Sequence, residues 1–175
     1  MGWPRHALFC RVSLDLHFGS EICIFVRKNE KNLGVSNTFN KALTMIRTPY
    51  LVRIDQDDVN LENRIEDQIA YLDKHKDIDI VCSWEYVIDS HGNKIGKWKR
   101  VLDNYGSFLG YVLIGICPIW HPSITLRTKS LVDVGGFNDD YARAEDFEVT
   151  ARLALNRCGA AILPKSEHII ALKFS

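Results

Sequence analysis

The 175-residue sequence is short of several features that would define its class at once. It has no excess of either charge: 22 basic residues balance 22 acidic ones, so the formal net charge is zero. A general nucleic-acid binder carries a basic excess, and that class is set aside. No apolar run approaches the ~18 residues of a transmembrane span; Val112 to Ile119 is apolar but short and reads as core. The first twenty residues lack the apolar segment and cleavage site of a secretory signal, and no Asn-x-Ser/Thr sequon occurs. The cysteines, at 10, 23, 82, 117 and 158, form no Cys-x-x-Cys pair. A zinc site is therefore not expected, and the odd, widely spaced set fits reduced thiols in a cytosolic protein. Gly-x-Gly-x-x-Gly, Walker and Gly-x-Ser-x-Gly motifs are also missing.

What is present is an ordinary globular composition, 46% hydrophobic and 25% charged, in a chain long enough for one domain with a sizeable core. Strand and helix patterns alternate. Residues 1 to 20 are poorly patterned, with a short helix expected from Ala7 to His17, and Ile22 to Val26 reads as a strand. Val35, Phe39, Ala42, Leu43 and Ile46 share one helical face that ends before Pro49. Leu51 to Ile54 has the apolar run of a buried strand in a parallel sheet. Leu61, Ile65, Ile69 and Leu72 mark the next helix, and Ile78 to Ile88 a long strand. A turn at 89–93 leads to a hairpin partner at Lys94 to Lys99. Asp103 to Gly115 reads as helical despite Gly106 and Gly110, Ser123 to Arg127 as a strand, and Phe147 to Leu155 as the last clear helix, with Glu148 and Arg152 paired at i, i+4. Ala160 to Leu163 is a strand ended by Pro164, and His168 to Leu172 another. The alternation predicts an α/β domain.

The chemistry concentrates where Tyr50-Leu51-Val52-Arg53-Ile54 runs into Asp55-Gln56-Asp57-Asp58. In open α/β sheets, ligands sit beyond the strands' carboxyl ends. Three crowded carboxylates call for an offsetting charge, and a divalent cation is the simplest. The plain alternative is an acidic cap on the following helix. An EF-hand loop is excluded, because Val59 and Asn60 stand where it needs Asp or Asn and then Gly. A second acidic pair, Glu145-Asp146, opens the last helix. It reads either as a cap or as a rigidly held general base. His121-Pro122, before a strand, is the third candidate, although a lone histidine is more often structural.

Taken together and in order, these stretches resemble the family 2 glycosyltransferases of the GT-A fold. The resemblance runs from near Glu21 to about Leu163. It rests on Asn32-Leu33-Gly34 with Asn40-Lys41-Ala42, on Tyr50 to Asp58 as the strand ending in an Asp-x-Asp motif, and on Asn63-Arg64-Ile65 through Gln68. His121-Pro122-Ser123 with Arg127, Gly135-Gly136-Phe137, and Glu145-Asp146-Phe147 with Arg152-Leu153 complete it. It implies a mixed, mostly parallel sheet flanked by helices. It implies transfer of a sugar, with inversion, from a nucleotide diphosphate donor to an acceptor hydroxyl on a saccharide or lipid-linked saccharide. Mn²⁺ or Mg²⁺ would be held by Asp55, Asp57 and Asp58. The donor side would be lined by Asn32, Gly34, Asn40, Arg53 and Asp55. Asp146 would be the base and Glu145 would orient it or the acceptor, with the two roles interchangeable. His121 would line the acceptor or diphosphate side. The implied location is cytoplasmic, peripheral to the inner face of a membrane, without nucleic acid.

The family's first strand, its Pro-x-Tyr-Asn-like turn and its Asp-Asp-Gly-Ser-like loop find no counterpart in residues 1 to 20. The expectation is a glycosyltransferase domain over residues 21–175, shortened at its N-terminus, with an exposed sheet edge that favours self-association. Two rival readings use the same residues: a non-catalytic remnant serving as a binding or assembly module, and a metal-dependent phosphohydrolase.

Overall fold

A computed structural model describes residues 7–8, 27–55, 58–141 and 143–171. Asp57 and Gln56 of the acidic motif, and the strand expected at Ile22 to Val26, lie outside the described residues. A two-stranded ribbon pairs β1 (Ala7–Leu8) antiparallel with β2 (Arg27–Lys28). The expected helix from Ala7 is therefore corrected at its start. With no clean period to hold a helix, pairing to a distant segment decides the conformation.

Among the described residues the main sheet has six strands. It contains β3 (Tyr50–Val52), β4 (Val59–Asn60), β5 (Ile80–Ile88), β6 (Lys94–Trp98), β7 (Thr125–Arg127) and β8 (Ala160–Ala171). Their order is β3-β7-β5-β8-β4, with β6 hairpinned onto β5. Helices α1 (Gly34–Leu43), α2 (Arg64–Lys74), α3 (Tyr105–Leu113), α4 (Thr128–Asp133) and α5 (Glu145–Leu155) flank it. The mixed α/β architecture agrees with the sequence reading. Its parallel character resides in the central β5–β8 pair, while the pairs β3–β7, β5–β7, β5–β6 and β4–β8 are antiparallel.

Strand alternation explains the core. Ile80 and Cys82 of β5, with Ala160 of β8, face Phe108, Val112, Leu153 and Ala154 of α3 and α5. Val81, Ala161 and Leu163 point the other way, onto Leu72 of α2. Period-two side chains thus give β5 and β8 apolar contacts on both faces, as a central strand requires.

Two corrections have clear causes. Leu51 to Ile54 was expected in a parallel sheet, but Tyr50–Val52 pairs antiparallel with β7; a short apolar run carries no information on its neighbour's direction. Pro164 does not end its strand. Leu163 pairs with Ser83 and Ser166 with Trp84, so Pro164 and Lys165 form a bulge and β8 continues to Ala171. A bulge is one of the few places where a strand tolerates a residue with no N–H.

Gly159 lets β8 begin against the preceding loop. Its carbonyl accepts from the amides of Asp79 and Ile80, and a Cβ there would stand 2.2 Å from the Asp77 carbonyl oxygen. Gly159→Ala is expected to cost about 1–3 kcal/mol through overpacking against backbone. Thermal unfolding measures this, and an unchanged midpoint would show that the loop gives way freely.

Candidate active site

The site is built at one junction. Because β3 and β7 run antiparallel with Val52 opposite Thr125, the carboxyl end of β3 meets the segment just before β7. The Arg53 amide donates to the Ile124 carbonyl at 3.0 Å and continues the pairing by one step. That segment is a single 3₁₀ turn, His121–Ser123. It is fastened from below by Gln68 of α2, whose amide donates to the Ser123 carbonyl (3.1 Å) and to Ser83 Oγ (2.7 Å) and accepts from Thr125 Oγ1 (2.6 Å). Gln68 is fully buried, and this closed polar network holds α2, β5 and β7 in one arrangement.

Arg53 leaves β3 into the centre of the junction. One guanidinium nitrogen, Nη2, contacts Asp55 Oδ1 at 2.9 Å, and the group lies over the Phe39 ring of α1, 5.2 Å from its centroid. Nε and Nη1 are buried and have no hydrogen-bond partner among the described residues. Asp58 donates its amide proton to the Asp55 carbonyl at 3.2 Å. Asp58 leads into β4, and α2 starts only at Arg64 after Asn63 at φ 68°. The acidic cluster is thus not the cap of α2, whose first turn has its own acids, Glu66 and Asp67.

From the other side comes α5. Glu145 and Asp146 are its first residues, half-buried, so the expected helix start is found where the sequence placed it. Asp146 Oδ1 lies 3.3 Å from Nδ1 of His121, which is almost fully buried. Burial raises the Asp146 pKa above the usual carboxylate range, against the opposing pull of the Arg53 guanidinium. Burial first, and the Arg53 charge second, push His121 down to about 3. The contact therefore joins a neutral imidazole to a carboxyl group and is not an ion pair at neutral pH.

Structure thus brings together Arg53, Asp55, His121 and Asp146, which sequence had left in three separate stretches. Asn32 and Gly34 lie at the start of α1, where the Gly34 amide donates to Asn32 Oδ1 at 2.9 Å. Gly34 sits at φ +75°, the left-handed region that favours glycine. Asn40, given a donor-side place by the resemblance, also has a structural task. Its amide donates to the Phe137 carbonyl (2.7 Å) and accepts from the Phe137 amide (2.8 Å), clamping the loop after Gly135-Gly136 onto α1. Arg127, quoted in the resemblance, donates to the carbonyls of Leu72 and Ile78 and holds the end of α2. Among the described residues no group of three or more His, Cys, Asp or Glu could hold a metal ion. Sequence reading gave Phe39 only as part of a helical face and Gln68 only as the end of a quoted motif, and passed over Thr150. Thr150 left a local signal: it stands four residues after Asp146, on the same face of α5.

The sequence model of glycosyl transferase family 2 matches residues 13–135. An uncharacterized glycosyltransferase of Methanocaldococcus jannaschii is 32% identical over 76% of this chain and 45% of its own length. The UDP-Gal:alpha-D-GlcNAc-diphosphoundecaprenol beta-1,3-galactosyltransferase of Escherichia coli is 28% identical over 74% of this chain and 46% of its own. The chain therefore spans about half the length of these relatives. Among solved structures, S. aureus TarS 1–349 in complex with UDP-GlcNAc superposes with a TM-score of 0.60 at 19% identity, covering 81% of this chain and 40% of that one. That likeness concerns the fold.

Proposed function

The chain belongs to glycosyl transferase family 2, and from that premise we propose that it carries the metal and acceptor side of an inverting site that moves a sugar from a nucleotide diphosphate donor to an acceptor hydroxyl. The observation that carries the proposal is Arg53. It is a nearly buried guanidinium with two donors unpartnered among the described residues, in contact with Asp55 on one side and close enough to Asp146 to oppose the rise that burial gives its pKa on the other. Buried donors without partners are costly. A guanidinium suits phosphate oxygens, and a diphosphate would approach the 14% of the Arg53 side chain that stays exposed.

Asp57, with Asp55 and Asp58, would hold Mn²⁺ or Mg²⁺, since carboxylates are the hard oxygen ligands these cations take. When bound, such an ion supplies positive charge where the leaving diphosphate gains negative charge. Asp55 also contacts Arg53, at 2.9 Å. Across the junction, Asp146 takes the proton of the attacking hydroxyl, and a carboxylate raised by burial is a stronger base for that task. Glu145, beside it, orients the acceptor.

Among the described residues no helix is long and apolar enough to cross a membrane. We place the protein in the cytoplasm at a membrane periphery, with a saccharide or lipid-linked saccharide acceptor. The name of the E. coli relative, which pairs a UDP-sugar with a lipid diphosphate acceptor, supports that placement. Exposed Val101, Leu113 and Ile114 favour self-association or contact with an apolar surface.

Metal binding is the direct test. Mn²⁺ is expected to raise the melting temperature of the wild-type chain, because a ligand that binds only the folded state stabilises it. Asp57→Asn should remove that rise. An equal rise in the variant would place the ion elsewhere. Isothermal titration with uridine, guanosine and thymidine diphosphate sugars in the presence of Mn²⁺ then identifies the donor. Release of free sugar or phosphate without an acceptor would turn the reading toward hydrolysis.

A further inference from the structure

The contact between His121 and Asp146 has a definite polarity, set by Thr150. The Thr150 hydroxyl donates its single proton to the Asp146 carbonyl, 2.6 Å away within α5. His121 Nε2 stands 2.9 Å from the same oxygen. With the hydroxyl proton already committed, that oxygen can only accept, so Nε2 is the protonated nitrogen of the neutral ring. Nδ1 is then bare. Its lone pair points at Asp146 Oδ1 across 3.3 Å, and both atoms are buried and without another hydrogen-bond partner among the described residues. Two acceptors face each other, an arrangement that opposes a charged carboxylate and is resolved when the carboxyl carries a proton.

We propose that His121 is the positioning residue of Asp146: its bare Nδ1 occupies the inner oxygen, leaves Oδ2 for the acceptor hydroxyl, and stabilises the carboxyl once it has gained a proton. The proposal rests on the reading of Asp146 as the base and adds to it the group that sets its strength. In the reaction, the acceptor O–H bond breaks and its proton passes to Oδ2. The acceptor oxygen forms a bond to the anomeric carbon, and the bond from that carbon to the diphosphate oxygen breaks with its electron pair leaving on the diphosphate. A half-turn about Cβ–Cγ then sets the new O–H against Nδ1. Before transfer the contact is unfavourable and afterwards it is a hydrogen bond, so it favours the reaction in the direction of proton uptake.

The surroundings agree. Oδ1 is enclosed although the Asp146 side chain is 45% exposed, so its open portion lies away from His121. The charged and titratable groups acting on the pair are Arg53, leaving β3, and Cys117, whose Sγ reaches Thr150 Oγ1 at 3.6 Å. Arg53 opposes the effect of His121 on Asp146. Burial raises the Cys117 pKa, which keeps its thiol neutral, so it adds a dipole and no charge.

The test needs neither donor nor acceptor. In the full chain labelled with ¹⁵N at histidine and ¹³C at the aspartate carboxyls, His121 is expected to remain the neutral Nε2–H tautomer across roughly pH 5–8, with the Asp146 midpoint raised from the ordinary aspartate value. An Nδ1–H tautomer overturns the proposal in the wild-type chain alone, whatever becomes of any variant. In His121→Asn the amide nitrogen takes the place of Nδ1 and donates to Oδ1. The Asp146 midpoint is then expected to fall by about one unit or more, and an unmoved midpoint overturns the proposal. Turnover separates this from the base assignment. If Asp146→Asn loses turnover while the Nδ1–H form is found, only the role of His121 falls; if Asp146→Asn keeps turnover, both fall.

Discussion

Asp146→Asn is expected to lower turnover by about 10²-fold or more while leaving donor affinity near that of the wild type. The amide fills nearly the same space, so α5 and the His121 contact should survive, but it cannot take a proton from the acceptor. Wild-type activity should also show a limb set by Asp146. A base must be ionised to act, and burial raises the Asp146 pKa. Ionisation is therefore complete only at a higher pH than for an ordinary carboxylate, and turnover falls as pH drops through that raised midpoint. The limb should vanish from the residual activity of the variant. Steady-state rates over pH, with donor affinity measured separately, decide the matter. Loss of donor binding with turnover of bound donor preserved would make Asp146 a donor ligand instead.

Arg53→Met is expected to weaken donor binding by about 10²-fold, since charge-assisted hydrogen bonds contribute about 1.5–3 kcal/mol each and at least one to the diphosphate would be lost. Methionine keeps an apolar stem over Phe39, which limits the packing change. The same substitution removes the cation that pulls the Asp146 pKa down, so the acid limb of activity should move to still higher pH. It also frees Asp55 from its 2.9 Å partner. Titration calorimetry with nucleotide-sugars and Mn²⁺ measures the first effect and the pH profile the second. Undiminished donor affinity would show that Arg53 faces something other than the diphosphate.

Much of the architecture was legible because its signals are local. The apolar face from Val35 onward, the long run from Ile78 to Ile88, and the Asp89 to Asn93 turn before Lys94 each declare themselves within a dozen residues. They appear as α1, β5 and the β5–β6 hairpin. In that turn Asp89 Oδ1 accepts from the amides of His91 and Asn93, the local bonding that makes Asp a turn residue. The misses were of another kind. Pro164 is a strand breaker by itself, but two residues of bulge between partners set at Ser83 and Trp84 accommodate it. Beyond the donor-side place that the resemblance implies for it, Asn40 makes a contact that the sequence did not indicate. Its amide is committed to the Phe137 backbone, 97 residues away. No pattern within α1 could disclose that partner.

By itself the sequence singled out the residues proposed to carry the chemistry: the carboxylates after β3, the acidic pair opening α5, and the histidine before β7. It did so because acid crowding and helix starts are properties of neighbours along the chain. Tertiary structure alone decided that they meet. An antiparallel β3–β7 pairing, with Val52 opposite Thr125, turns the end of one strand toward the beginning of the other and so sets Arg53 beside the His121 turn. A parallel pairing would have sent them to opposite edges of the sheet. The packing of α5 against that turn then encloses one oxygen of Asp146 and leaves the rest of its carboxyl open. Strand direction and enclosure depend on residues far apart in the chain, and that is why they emerge only in the fold.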